Sequence, residues 1–166
     1  MEFRKMRRFR QELPKPECDA ILTAATSGTL ALLGDNEYPY AVPISHVYAD
    51  GKLYFHSAKA GHKVDAIKTH DKASFCVIAA DEVRPAEFTT YFRSVIAFGR
   101  IRIVESEEER LRAATLLGER FNPGDAEGLE KEIAKGLPHM LILRLDIEHL
   151  SGKESIELTR SRKPKE

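Results

Sequence analysis

The stretch YPYAVPISHVYADGKLYFHSAKAGHKVDAI (residues 38–67) decides the fold class of this chain. Residues 38–48 and 52–57 are rich in apolar and aromatic side chains, which predicts two strands. Alternation along them would place Tyr40, Val42, Ile44, His46 and Tyr48 on one face, and would set Lys52, Tyr54 and His56 opposite Leu53, Phe55 and Ser57. Asp50-Gly51 between the two strands is a strong β-hairpin signal. A helix is predicted from Gly61 to His70, so the stretch indicates two paired strands followed directly by a helix.

The remaining sequence continues mostly in hairpin order. Pro39 and Pro43 favour an edge or bulged position for the strand at 38–48. Further strands are predicted at 28–33, 73–79, 91–104 (bent at Gly99) and 139–150, and helices at 16–25, 106–121 and 126–135. We therefore predict a mainly β (α+β) fold, an antiparallel barrel or sandwich with peripheral helices.

Composition places the chain among ordinary globular proteins. It has 166 residues, 42% hydrophobic and 31% charged, with 26 basic and 26 acidic residues. The balanced charge gives no reason to expect nucleic acid, and no apolar run reaches the ~20 residues of a membrane span. The basic start MEFRKMRRFR lacks the apolar segment of a secretory signal. Two cysteines without a paired motif suit a reducing cytoplasm, which is the predicted location.

The segment around Gly61 carries the strongest chemical signal. His62 and Lys63 occupy the predicted first turn of a helix, where a cation costs about 0.3–1 kcal/mol. A bound phosphate would resolve this conflict, with Ser57, His62, Lys63 and backbone N–H groups converging on it. The alternative is a solvated basic loop. Neither GxxxxGK[ST] nor GxGxxG is present, which argues against a nucleoside triphosphate or a Rossmann dinucleotide.

Two histidines are candidates for proton transfer or substrate contact. His46 and His56 lie on predicted strands, and histidine titrates near neutral pH. The alternative for each is a structural role, as a packed side chain at His46 or a hydrogen bond at the strand end at His56. The spacing of His46, His56 and His62 matches no metal motif, so no metal is predicted.

The chain resembles FMN-binding split β-barrel proteins of the pyridoxamine-phosphate oxidase superfamily, most closely the nitroimidazole-resistance branch. Residues 38–67 carry the resemblance together with TTYFRSVIAFGRIRIVES (89–106) and LDIEHLSGKES (145–155), and it extends over most of residues 6–155. It implies a six-stranded antiparallel split β-barrel with peripheral helices. The domain is expected at 16–155, between a basic arm at 1–15 and a polar tail at 156–166, in which TRSRKPKE (159–166) is expected to be disordered.

The resemblance also implies a homodimer with FMN across its interface. Ser57, His62 and Lys63 would bind the phosphate, and His56 and Ala58 would line the ribityl chain. His46 would face the substrate. The backbone of Val42, Pro43, Ile44 and Ser45 would run beside the isoalloxazine ring. Arg93 and Ser94, with Tyr91 nearby, would contribute from the second barrel region, from the same chain or the partner subunit.

The function implied is an FMN-dependent oxidoreductase of small electron-poor substrates such as nitro compounds, reduced by NAD(P)H or another donor. The chain lacks tryptophan and the Arg-Leu-x-Pro ending of vitamin B6 oxidases, so that reaction is not expected. One alternative is a non-catalytic carrier or sensor of FMN or haem. Another is an anion- or nucleic-acid-binding β-barrel that uses Arg4, Lys5, Arg7, Arg8 and Arg10.

Overall fold

Eight strands form one antiparallel sheet in the computed structural model, which describes residues 2–162. The sheet order is β3-β2-β6-β7-β8-β5-β4, and β1 pairs with β8. The strands are β1 Glu12–Leu13, β2 Ser27–Leu33, β3 Pro39–Ser45, β4 Val47–Ala49, β5 Lys52–Ala58, β6 Lys72–Arg84, β7 Thr89–Ile103 and β8 Met140–Glu154.

Five α-helices lie around this sheet within the described residues. They are α1 Lys15–Ala24, α2 His62–Thr69, α3 Glu107–Phe121, α4 Ala126–Gly136 and α5 Ile156–Arg162. The mainly β, α+β class and the helices at 16–25, 106–121 and 126–135 are thereby confirmed. None of the helices in residues 2–162 is both long and apolar enough to cross a membrane.

The two end strands of the sheet are consecutive in the chain. Only His46 separates β3 from β4, so the sheet must curl until its ends approach each other. In the described chain no backbone ladder joins these ends, and the sheet is not closed. The expected count of six strands differs from the eight observed because His46 splits the predicted 38–48 strand and Glu12–Leu13 adds a short one.

Local sequence signals set the turns and bends of the sheet. Asp50 and Gly51 have φ values of 51° and 72°, the left-handed pair that a two-residue hairpin requires. The register of β7 against β8 shifts between Phe98 and Gly99, where a Cβ on Gly99 would overlap the carbonyl oxygen of Asp146. The predicted hairpin and the predicted bend at Gly99 are both confirmed.

Two cores hold these elements together. The larger lies inside the curled sheet and includes Leu30, Phe55, Phe75 and Leu145, all fully buried. The smaller lies outside it, where Tyr54 of β5 packs beneath α3. Strand β5 is therefore covered on both faces, and only its last residues are available at the surface.

Both ends of the described chain pack on the sheet. The ring of Phe3 stacks on His149 at 4.6 Å between ring centroids, and the Gln11 side-chain amide donates to the carbonyl of Glu154. Residues 156–162 of the predicted tail form α5, so 159–162, expected to be disordered, are helical instead, and Thr159 is buried. The last four residues of the predicted tail lie outside the described residues. The sequence of this short helix is mostly polar, so it shows no apolar periodicity from which a helix could be predicted.

Candidate functional site

The start of α2 is an open helix N-terminus. Gly61 is its N-cap, with φ 122°, and no side chain of the described residues caps the helix. This φ lies in a region that L side chains rarely adopt, so glycine is required for the turn from β5 into α2. The N–H of Val64 donates to the carbonyl of Gly61 at 2.8 Å, so the N–H groups of His62 and Lys63 are the ones left without a helical partner beside Gly61.

Lys63 is a half-buried cation in this first turn. Burial lowers the pKa of its ammonium group, and desolvation is the cause of that change. No carboxylate in residues 2–162 forms an ion pair with it. A desolvated cation beside free N–H groups produces a local positive potential that suits an anion.

His62 joins α2 to the turn between β2 and β3. Its ring stacks on Tyr40 at 4.1 Å, and its Nε2 accepts the N–H of Asp35 at 3.3 Å. The Asp35 carboxylate lies 3.8 Å from the same nitrogen. A Cβ on Gly34 would lie 2.9 Å from it, so the glycine permits this close approach. His62 is therefore positioned by packing, with 40% of its side chain still exposed.

The end of β5 presents its residues to two different environments. Ser57 is buried on the side of the main core, while His56 and Ala58 are exposed. This alternation confirms the predicted faces of the strand. Ser57 and Ala58 lead directly into the Gly61 turn, whereas the His56 side chain points away from Ser57.

Strand β3 lies beside the start of α2 and has a free edge. It pairs with β2 alone among the described strands, with Val42 opposite Leu30 and Ile44 opposite Gly28. The predicted edge position is thus confirmed. The stacking of Tyr40 on His62 brings this edge next to the α2 N-terminus. The backbone groups of residues 42–45 that point away from β2 are available to a ligand.

His46 lies in the core and not in a cleft. It is fully buried, its Nε2 donates to the carbonyl of Leu22 at 3.0 Å, and its ring meets Phe75 edge-on. Burial lowers the pKa of His46, which keeps the ring neutral. The expectation that His46 faces a substrate therefore does not fit this chain, and the packed role is the one the structure shows. Strand alternation places His46 with Tyr40, Val42 and Ile44, and all of them pack against the main core.

Tyr91, Arg93 and Ser94 lie far from the α2 N-terminus within one chain. Ser57 pairs with Leu141 at the start of β8, whereas Arg93 pairs with Glu154 at its end. At about 3.3 Å per residue, the contour of the strand between these partners is about 40 Å. Residues 42–45 lie nearer to β7, because Pro43, Thr29, Cys76 and Ile96 form one cross-strand row and three strand spacings amount to about 14 Å. The structure therefore brings residues 42–45 next to the start of α2 and places residues 91–94 across the sheet from 42–45.

Arg93 is held by a network of buried charge. Its Nη2 donates to Glu154 Oε2 at 2.8 Å, and the Glu154 side chain is fully buried. Arg162 of α5 lies 3.1 Å from the other oxygen of the same carboxylate. Tyr91 is held separately, by donating to Glu87, which raises the pKa of its phenol.

A cavity of about 410 Å³ lies between α1 and the β6–β7 pair, with Arg93 in its wall. The sequence did not predict this cavity. Its lining comes from helix and strand positions that are close only after folding, and small residues such as Ala20 and Ala24 carry no distinctive signal.

Comparison with known proteins agrees with this architecture. A FAD-binding protein from Mesorhizobium loti is 26% identical, with 87% of this chain and 96% of that chain covered and a TM-score of 0.61. A FAD and haem binding protein from Mycobacterium smegmatis is 23% identical, with 93% of this chain and 81% of that chain covered and a TM-score of 0.75. A structure named as a 5-nitroimidazole antibiotic resistance protein from Bacteroides thetaiotaomicron is 15% identical, covering 86% of each chain, with a TM-score of 0.71.

The two structures below 25% identity establish the likeness of the fold. The model of the family described as pyridoxamine 5'-phosphate oxidase matches residues 14–154, which is most of the chain. That match includes the curled sheet, the free edge of β3 and the start of α2. The chain therefore belongs to the pyridoxamine 5'-phosphate oxidase family.

Proposed function

We propose that this protein binds FMN non-covalently and uses it as an oxidoreductase of small electron-poor substrates, in the manner of the nitroimidazole-resistance branch. The flavin would supply the electron transfer, and the chain would hold and orient it. A nicotinamide nucleotide is the proposed electron donor. Nitro compounds are the proposed acceptors.

The observation that carries the proposal is the unpaired charge at the start of α2. Lys63 is half-buried without a carboxylate partner in the described chain, and the adjacent N–H groups have no cap. A phosphate at this point would satisfy both. Ser57 and His62 lie on either side of the Gly61 turn and would complete the phosphate contacts.

The free edge of β3 fits the ring of a flavin. The pyrimidine end of isoalloxazine alternates hydrogen-bond donors and acceptors, as a strand edge does. The N–H of His46 donates to the carbonyl of Thr26 and the N–H of Gly34 to that of Tyr38, so in this register the even-numbered residues of β3 face β2. Ser45 therefore offers N–H and C=O groups at the free edge, while Pro43 offers only its carbonyl. His56 and Ala58, at the exposed end of β5, would border the ribityl chain, and His56 is the proposed proton donor.

A second copy of the chain would complete this site. Arg93, Ser94 and Tyr91 lie at the opposite end of β8 from Ser57, and a partner subunit is the proposed route by which they reach the same flavin. The β6–β7 hairpin exposes Ile78, Val83 and Phe88 by 68%, 66% and 97%. Such grouped apolar exposure is typical of an interface. We therefore propose a homodimer in which this hairpin contacts the partner.

A second candidate function is a non-catalytic carrier or sensor of flavin or haem. The Mycobacterium smegmatis protein of the same fold is named for both FAD and haem, and the Mesorhizobium loti protein for FAD.

Visible absorption of the purified protein, before and after addition of FMN or FAD and desalting, tests cofactor binding. Retained flavin bands with tighter binding of FMN are expected. Oxidation of NADPH or NADH with a nitroaromatic acceptor then tests the reaction. Retention of FMN without turnover with either donor would favour the carrier, a Soret band would favour haem, and failure to retain any flavin would refute the proposal.

A further inference from the structure

The cavity between α1 and the β6–β7 pair has an apolar wall of short side chains. The wall consists of Ala20, Ile21, Ala24 and Ala25 from the helix side and Ile78 and Ala79 from the sheet. Its volume of about 410 Å³ is within the range of about 300–1,000 Å³ that small-molecule sites occupy. The many alanines leave room for a ring between helix and sheet.

The charged groups at this cavity are Arg93 and Glu17. Arg162 pairs with the Glu17 carboxylate at 2.5 Å, so that negative charge is compensated. Arg93 uses Nη2 for Glu154, and its side chain is still 34% exposed, so the guanidinium has donors left for a ligand in the cavity. Hydrogen bonds from a guanidinium to a carboxylate are among the strong ones, so an acid is the ligand that this arginine favours.

The sheet is irregular at the same point. The register of β6 against β7 shifts between Ile78 and Ala80, so Ala79 is an extra residue opposite the Arg93–Ser94 step. Bulges redirect neighbouring side chains and are common beside binding sites. An arginine with donors left for a ligand, a bulge and an apolar cavity thus coincide.

We propose that this cavity binds a small planar carboxylate, with the ring between α1 and Ile78 and the carboxylate on Arg93. This inference rests on the proposed function in one respect: the bound acid is the acceptor, or a part of it, that approaches the flavin held by the partner subunit. Glu154 then acts as a positioning residue, since its buried carboxylate fixes the arginine.

Calorimetric titration with benzoate and with its neutral analogue benzamide tests the site independently of flavin. Ala20→Leu fills the cavity from an exposed helical position, so the fold should be retained. Thr23→Leu is the matched control, because Thr23 is exposed on the same helix and does not line the cavity. Arg93→Gln removes the charge, and circular dichroism shows whether each variant is folded.

We expect one benzoate per chain, bound at least about tenfold more tightly than benzamide, since bonds to charged groups contribute about 1.5–3 kcal/mol. Ala20→Leu should weaken both ligands at least about tenfold, and Thr23→Leu neither. Arg93→Gln, if folded, should abolish the preference for benzoate. Absence of benzoate binding, or equal affinity in wild type and Ala20→Leu, would overturn the assignment.

The same samples separate this inference from the proposed function. Flavin retention is measured by absorption in each variant, and it should be unchanged by Ala20→Leu. If wild type binds benzoate as expected but retains no flavin, the cavity is a carboxylate site and the proposed function fails. If it retains flavin but binds no benzoate, only the cavity assignment fails.

Discussion

Replacement of Lys63 by methionine should change flavin affinity and protein stability in opposite directions. Methionine keeps an apolar side chain of similar length and removes the charge. If the ammonium group binds a phosphate, its loss removes a charge-assisted interaction of about 1.5–3 kcal/mol. The dissociation constant for FMN should therefore rise by about 10- to 150-fold.

The flavin-free protein should become more stable by the same change. In the absence of a ligand, Lys63 is a half-buried cation in the first helical turn, without a carboxylate partner in residues 2–162. A like-signed charge at a helix N-terminus costs about 0.3–1 kcal/mol. Removing it should raise the free energy of unfolding of the flavin-free protein by about that amount, as measured with urea.

Lys68→Met is the matched control, because Lys68 is exposed in the last turn of the same helix. A cation there stabilises the helix, so its loss should lower stability by about 0.3–1 kcal/mol and leave FMN affinity unchanged. Equal FMN affinity in wild type and Lys63→Met would refute the phosphate site. A loss of stability in Lys63→Met would refute the argument that this charge is uncompensated.

The pH dependence gives a second test of Lys63. Burial lowers the pKa of Lys63 below its ordinary value of 10.5, so between the two values the unfolded chain binds more protons than the folded one. The stability of the flavin-free protein should therefore rise with pH in that window. Lys63→Met should lack this rise.

Three further changes test the fold and the assembly. Burial lowers the pKa of His46 below 6.5, so the folded protein should lose stability as the pH drops from 6.5 through the folded-state pKa. In urea unfolding at several pH values, His46→Gln should show a smaller loss over the same range. Phe88→Ser should weaken a homodimer at least about tenfold in sedimentation analysis, whereas an unchanged dimer would show that Phe88 is no interface anchor. Gly99→Ala should cost about 1–3 kcal/mol because its Cβ overlaps the Asp146 carbonyl, while Gly136→Ala, which has open space, should not destabilise.

The parts of the fold that the sequence predicted are those set by local chemistry. Asp50-Gly51 defines a hairpin through φ values that few other pairs adopt, and Ser106 caps α3 by accepting the N–H of Glu109. Gly61 marks the start of α2 because its φ of 122° is one that other residues rarely adopt. At the candidate site, the proximity of Ser57, His62 and Lys63 follows from one short turn, so it was predictable.

The parts that it did not predict depend on long-range packing. Alternation along 38–48 placed His46 with Tyr40, Val42 and Ile44, which all face the core, but only the folded chain shows that α1 covers this face and takes the His46 hydrogen bond at Leu22. The cavity beside Arg93 is formed by α1, β6 and β7 together. Its charge network joins Glu17, Arg93, Glu154 and Arg162, which only the folded chain brings together.

Charge compensation in the rest of the molecule strengthens the case for an anion at Lys63. Half-buried arginines here have carboxylate partners: Arg144 lies 2.7 Å from Glu109, and Arg93 lies 2.8 Å from Glu154. The fold thus compensates these two arginines with its own acids. Lys63 has no such carboxylate in residues 2–162, and it lies at a helix N-terminus that already carries positive potential. A phosphate bound there would supply the missing negative charge.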